Sequence, residues 1–284
     1  MSLIPAKAGI HNASAGALKN GIPAHAGAVA ELLNLPPIIG HRGVAAHAPE
    51  NTLAGFRAAR ALGCAWVEFD VRLTADGAPV VCHDDQLERT TNGRGRISTL
   101  PLSAIRGLDA GSWFSASFAG ERIPTLDETL TLCRELGLGA NIEIKAEHGR
   151  GPKTAVAVAA ALSRRAGHLP PILVSSFLAG AVAEFGRLAP SLPRGMLWRK
   201  IPRDWRKIAA GLGCATIHVG QDSLTEATVG LIRDAGYPVL AYTVNDAARA
   251  RQLFEWGAAS VFSDAPDIIG AAAEGLTGAR RGAR

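Results

Sequence analysis

An α/β fold, a (β/α)8 barrel carrying an insertion after its second strand, is the class this sequence predicts. Three observations lead there. From residue 37 onward, short β-branched runs alternate with longer Ala/Leu-rich stretches, the pattern of parallel strands joined by right-handed helical crossovers. About eight such units fit into roughly 240 residues, which suits a closed barrel better than an open sheet. Polar residues gather where the strands hand over to loops, the end at which such barrels carry out their chemistry.

The first strand is expected over 37–40, with His41-Arg42-Gly43 directly after it. The stretch 52–62 reads as a helix, and 66–70 as the second strand, ending in Glu68 and Asp70. A further strand-like run, 79–82, leads into His83 and Asp84. Residues 84–124 then break the rhythm. They contain the turn-rich strings Thr90-Thr91-Asn92-Gly93-Arg94-Gly95 and Asp109-Ala110-Gly111-Ser112-Trp113-Phe114 and are too long for a βα connection. They are read as an insertion folded over the barrel mouth, the kind of long ordered loop that serves function. A helix is expected over 125–137, where Thr125 and Glu128 have capping-box spacing and Gly137 sits at the far end. The third barrel strand, 140–145, ends in Glu143 and Lys145. Strands over 171–175, 194–198, 214–219, 238–242 and 258–262 alternate with helices over 153–167, 178–188, 203–211, 225–235, 246–256 and 266–274. They deliver Ser175 and Ser176, His218, Tyr242 with Thr243 and Asn245, and Ser263 with Asp264 to one end.

Composition narrows the function class. The chain has 284 residues, 48% of them apolar, enough for one large domain with a sizeable core. Its formal charge is +5, but three arginines fall in the last five residues and one net positive charge in the first 36, leaving about +1 for the body. No basic stripe interleaved with aromatics is present, so nucleic acid is not an expected partner. No run of 18 apolar residues suggests a membrane span. No G-x-G-x-x-G follows the first strand, and no G-x-x-x-x-G-K-[ST] occurs. Cys64, Cys82, Cys133 and Cys214 are dispersed without a C-x-x-C pair, and Cys64, Cys82 and Cys214 lie in or beside apolar runs, which suits buried free thiols and a cytoplasmic location. The N-terminus lacks the apolar core of a secretory signal. The expected organisation is a poorly ordered extension over 1–36, the barrel over 37–274 and a basic tail over 275–284, acting as a monomer or homodimer.

The strand-end residues carry the chemistry. Glu68 and Asp70 are two apart on one strand and so point the same way, and Glu143 and Lys145 repeat the pattern on the next barrel strand. Three facing carboxylates repel strongly at low dielectric, so either one stays protonated or a cation sits among them. Oxygen-only ligation favours Mg²⁺ or Ca²⁺. Ion pairing with Arg42, Arg72 or Lys145 is the plainer alternative. Of the eight histidines, His41 and His83 each directly follow an apolar strand-like run and have a charged neighbour. His218 ends a strand without a partner in sequence and is a candidate for the pocket lining. Two histidines, three carboxylates and fixed positive charges are what metal-assisted attack on a phosphate ester requires.

These residues lie in strings that strongly resemble the glycerophosphodiester phosphodiesterase family: HRG (41–43), APENT (48–52), EFDVRLTADGAPVVCHD (68–84), LERTTNGRG (87–95), ANIEIK (140–145), SSF (175–177), YTVN (242–245) and SDAPD (263–267). They run in family order over most of the chain. DAGSWFS (109–115) and PRGML (193–197) look especially like the short cytoplasmic bacterial enzymes. The resemblance implies a TIM barrel that hydrolyses small water-soluble glycerophosphodiesters, such as glycerophosphocholine or glycerophosphoethanolamine, to sn-glycerol 3-phosphate and an alcohol. It implies His41 and His83 as the catalytic pair and Glu68, Asp70 and Glu143 as ligands of one divalent cation. Arg42 and Lys145 match phosphate-contacting positions. Tyr242 stands where many relatives carry tryptophan, and with Phe177 and with Trp113, Phe114 and Phe118 of the insertion it is a candidate wall for the glycerol side; plain core packing is the alternative, above all for Phe118. A lysophospholipase D or sphingomyelinase D-like enzyme on the same barrel is the nearest rival, and a catalytically silent binding barrel a more distant one.

Overall fold

Residues 33–147 and 149–270 are described by the structure, a computed structural model. The expected tail over 275–284, the end of the helix expected over 266–274 and most of the expected extension lie outside them. Nine strands alternate with helices among the described residues: β1 Ile38–Gly40, β2 Trp66–Leu73, β3 Pro79–Val81, β4 Gly139–Ile144, β5 Ile172–Ser176, β6 Arg194–Trp198, β7 Thr216–Gly220, β8 Val239–Tyr242 and β9 Ser260–Ser263. All except β3 run parallel, in the order β1-β2-β4-β5-β6-β7-β8-β9. The ring closes because β1 pairs with both neighbours, Gly40 opposite Val67 of β2 and Ile38 opposite Val261 of β9. The fold is therefore a closed (β/α)8 barrel, and it leaves no barrel edge unpaired.

The run over 79–82 departs from strict alternation. Its strand, β3, pairs antiparallel with the outer part of β2, Val71 opposite Val81, and stands outside the barrel. A tight turn makes the hairpin possible: Gly77 takes a φ of 81°, and the Thr74 hydroxyl accepts from the Ala78 amide at 2.9 Å. This detour has a purpose for the site. The Cys82 amide donates to the Asp70 carbonyl at 2.9 Å, which brings His83 back beside the mouth that β2 opens onto.

The following segment builds a small core of its own from Val80, Cys82, Leu87, Ile97, Ile105, Ala110 and Ile123. Its far loop is tied by Asp109, whose carboxylate accepts from the amides of Gly111, Ser112 and Gly120 at 2.7–2.8 Å. Trp113, Phe114 and Phe118 stack edge to face on one another in that loop, with ring centres 5.6–5.7 Å apart.

Helix ends follow from their sequences. In α1, Leu53–Ala61, the Thr52 hydroxyl accepts from the Gly55 amide. In the helix Leu126–Leu136, Thr125 and Glu128 form a reciprocal capping box and Gly137 ends the turn at a φ of 66°, which a residue without Cβ adopts freely. The outer apolar layer buries Phe56, Phe69, Leu126, Leu130 and Phe185 completely. Each such side chain contributes about 1.5–3 kcal/mol by leaving water, so this layer holds helices and strands together. All four cysteines are buried free thiols.

Inside the barrel, Ile39, Trp66, Leu173, Leu240 and Phe262 form an apolar floor. Each lies two positions before a polar residue of the mouth: His41, Glu68, Ser175, Tyr242 and Asp264. The two-residue strand period thus stacks a polar storey directly on an apolar one. Gly139 permits this floor, because a Cβ there would come 2.2 Å from the Trp66 ring. No described helix is long and apolar enough to cross a membrane.

Candidate active site

The loop after β1 is wound tightly enough to aim two side chains at the mouth. A Cβ on Gly40 would fall 2.1 Å from the Gly43 carbonyl oxygen, and Gly43 takes a φ of 89° against Gly55. Arg42 between them adopts a left-handed φ of 51°, a conformation that costs a non-glycine residue of order 1–3 kcal/mol. The Arg42 amide offsets part of that by donating to Glu68 Oε2 at 3.0 Å. Its guanidinium reaches Glu50 Oε1 at 2.9 Å and lies 3.6 Å from Asp70 Oδ2.

Glu68 and Asp70 from β2 and Glu143 from β4 bring one carboxylate oxygen each to within 4.8 Å of one another, all three residues buried. Burial and the neighbouring Asp70 push Glu68 up to about 8. Burial alone would also raise Asp70, but Lys145 and Arg42 overcome it and hold that carboxyl well below the usual range. Glu143 is raised by burial in spite of Lys145. The Lys145 ammonium lies 2.8 Å from Glu143 Oε1 and 3.3 Å from Asp70 Oδ1. The ion pairing offered by the sequence as the plainer alternative is thus present with Arg42 and Lys145, beside carboxylate oxygens close enough to share a cation. Glu68 Oε1 is buried without a hydrogen-bond partner among the described residues, the kind of orphaned anionic oxygen that a hard divalent cation satisfies. An all-carboxylate donor set fits Mg²⁺ or Ca²⁺ better than a thiophilic metal.

Both histidines are buttressed by carboxylates. His41 Nδ1 pairs with Asp264 Oδ1 at 2.7 Å, and its Nε2 lies 3.9 Å from Glu68 Oε2. Asp264 is itself held by the Asn245 amide at 2.7 Å. Burial would lower His41, but the bond to Asp264 and the charge of Glu68 raise it above its ordinary value. His83 Nδ1 pairs with Asp84 Oδ1 at 2.6 Å, and Arg72 Nε fixes the His83 carbonyl at 2.8 Å. His83 is lowered, first by burial, with Lys145 and Arg42 adding to it against the pull of Asp70. In each ring Nδ1 is engaged, which leaves Nε2 for a reacting group.

Phe177 and Tyr242 meet edge to face with centres 5.7 Å apart, and Lys145 Nζ lies 5.6 Å over the Phe177 ring. His218 is not brought to this wall. It has no exposed surface, its Nε2 pairs with Thr216 at 2.9 Å, and its ring leans on Phe262 of the floor. Burial drops it to about 3, so it stays neutral. Its two-residue offset from Gly220 places it one storey too deep for substrate, which corrects its expected place in the pocket lining.

Glu50, Asn51 and Arg89 escaped sequence reasoning as site residues, although two of the matching strings contain them. Asn51, at a φ of 59°, donates to Asp70 Oδ2 at 2.9 Å and accepts from the Asp70 amide at 3.2 Å. The positive-φ tolerance of asparagine just before a helix N-cap was the available signal.

Comparison with known proteins gives one consistent family. The Glycerophosphoryl diester phosphodiesterase family matches residues 41–268. A glycerophosphodiester phosphodiesterase of Caldanaerobacter subterraneus is 31% identical over 233 residues, 82% of this chain and 95% of its own. Another from Bacillus subtilis is 30% identical over 249 residues, 81% and 84% of the two chains. The solved structure of an Oleispira antarctica phosphodiesterase in complex with the product sn-glycerol-3-phosphate is 41% identical, with a TM-score of 0.81, covering 84% of this chain and 96% of that one.

Proposed function

The chain belongs to the glycerophosphoryl diester phosphodiesterase family, and on that premise we propose that it hydrolyses glycerophosphodiesters such as glycerophosphocholine and glycerophosphoethanolamine to sn-glycerol 3-phosphate and an alcohol, with His41 and His83 as the acid–base pair. The observation that carries this reading is the arrangement of two carboxylate-buttressed imidazoles around the Glu68–Asp70–Glu143 cluster. The Oleispira enzyme, similar over most of the chain, was solved with the product the reading requires.

When bound by Glu68, Asp70 and Glu143, one divalent cation, Mg²⁺ or Ca²⁺, would offset the diester's negative charge and make an attacking hydroxyl more acidic. Arg42 and Lys145 hold the phosphate and stabilise charge developing on its equatorial oxygens. His41, oriented by Asp264, removes the proton from the nucleophile, either the substrate's own 2-hydroxyl or water. His83, oriented by Asp84, protonates the departing alkoxide, a poor leaving group without that proton. The order of the two comes from the family resemblance. A bound phosphodiester anion beside His83 raises its proton affinity and works against the burial that lowers it in the free protein. Phe177 and Tyr242 offer the glycerol carbons an apolar wall.

The test is a coupled assay for sn-glycerol 3-phosphate across choline, ethanolamine, serine and glycerol head groups, with lysophosphatidylcholine alongside. Release from the water-soluble diesters supports the reading. Choline release from lysophosphatidylcholine alone would favour the lysophospholipase D alternative.

A further inference from the structure

Arg89 belongs to the segment between β3 and β4, not to a barrel strand, yet it spans the two halves of the site. Its Nε donates to Asp84 Oδ2 at 2.6 Å, and its two terminal nitrogens donate to Glu50 Oε2 and Oε1 at 2.7 and 2.8 Å. Each acceptor already steadies a residue of the mechanism. The other oxygen of Asp84 holds His83 Nδ1 at 2.6 Å, and Glu50 Oε1 also accepts from Arg42 at 2.9 Å. An unbroken line of charge-assisted contacts therefore runs His83–Asp84–Arg89–Glu50–Arg42.

We propose that Arg89 is a positioning residue for the reaction: one guanidinium fixes the imidazole at the leaving group and the cation at the phosphate relative to each other. A planar fork with donors on three nitrogens can serve two carboxylates at once, which the single ammonium of lysine cannot do in the same geometry. The Arg89 side chain is 46% exposed while that of Glu50 is 8% exposed. Its own burial is therefore a minor part of what keeps it there, and it caps a carboxylate that among the described residues is otherwise paired with Arg42 alone. Without it, Asp84 keeps no other side-chain partner than His83 among the described residues, and the two side chains are free to swing together about a backbone that Arg72 still holds.

The inference rests on the assignment of His83 as proton donor to the leaving group, and the experiment separates the two. Turnover is measured on two diesters of glycerol 3-phosphate, one with choline and one with p-nitrophenol, whose phenolate leaves without needing a proton. The enzymes are wild type, Arg89→Gln, Arg89→Lys and His83→Gln, with thermal unfolding followed in parallel. For Arg89→Gln we expect kcat on the choline diester to fall about 10–100-fold, the scale for removing a group that orients another. On the nitrophenyl diester kcat should fall far less, by only the part that Arg42 loses in its hold on the developing charge, and KM should rise on both. Arg89→Lys should retain the fold and recover only part of the choline-diester rate; it carries the test if the glutamine variant does not fold. Equal loss on both diesters, or no loss on either, overturns the inference, because a merely structural ion pair moves stability and treats both leaving groups alike. If His83→Gln discriminates between the diesters and Arg89→Gln does not, the inference about Arg89 fails alone. If His83→Gln also treats them alike, the proton-donor assignment fails and takes the inference with it.

Discussion

Asp264 Oδ1 lies 2.7 Å from His41 Nδ1, so the imidazole that follows the first strand is oriented by a carboxylate that follows the last. The contact straddles the seam where the barrel closes, and the His41 amide reinforces it by donating to the Ser263 carbonyl at 2.8 Å. Barrel closure and the placing of His41 thus depend on the same strand ends. Replacing Asp264 with Asn keeps the size of the side chain and removes its charge. Turnover should drop about 10–100-fold, the usual effect of losing a group that orients a site residue, with an unchanged circular dichroism spectrum. Wild-type turnover in this variant would mean that His41 needs no such support.

Removing the imidazoles themselves should cost more. His41→Ala and His83→Ala are each expected to lower kcat on glycerophosphocholine by roughly 10²–10⁴-fold, the range for losing one acid–base group. Either variant turning over near the wild-type rate would remove that residue from the mechanism.

Asn51 grips Asp70 from both sides of its amide, so it should set how tightly the carboxylate cluster holds a cation. Asn51→Gly suits the left-handed backbone at this position and deletes only the side chain. Cation affinity, read from activity against Mg²⁺ or Ca²⁺ concentration, should weaken about 10–100-fold, and saturating cation should restore much of the rate. An unshifted titration would detach Asn51 from the site.

His218 gives a pH dependence of stability. Its folded value is about 3 against 6.5 for the free side chain, a depression caused by burial. Between those values the unfolded chain binds a proton that the native chain does not, so stability falls as the pH drops through this window. The slope from one such group is about 1.4 kcal/mol per pH unit. His218→Gln loses the contribution: urea midpoints measured between pH 6.5 and 4 should fall less steeply than in wild type, whatever the starting stability at pH 7. Equal slopes would show that the imidazole does protonate in the fold.

The barrel and its acidic cluster were legible because both depend on local periodicity. Two-residue spacing makes Glu68 and Asp70 neighbours on one face, and parallel pairing sets Asp70 opposite Glu143 across the β2–β4 ladder. The antiparallel direction of β3 was not legible, because Val80 and Val81 read alike in either orientation. His218 misled for a related reason. Strand parity says which face a residue takes but not how deep it lies, and one two-residue step separates a buried floor from an accessible mouth. The supporting shell was hidden by distance along the chain. Asp264 and His41 are 223 residues apart and Arg89 and Glu50 are 39 apart; no local pattern joins such pairs, and only the closed ring and the folded insertion bring them together.

Glu68, Asp70 and Glu143 are proposed to hold the cation on which hydrolysis depends. The most direct measurement follows sn-glycerol 3-phosphate release from glycerophosphocholine by protein stripped with EDTA, as Mg²⁺ or Ca²⁺ is titrated back. No release is expected after chelation, and recovery should saturate with added cation. Release that continues undiminished in EDTA would contradict it.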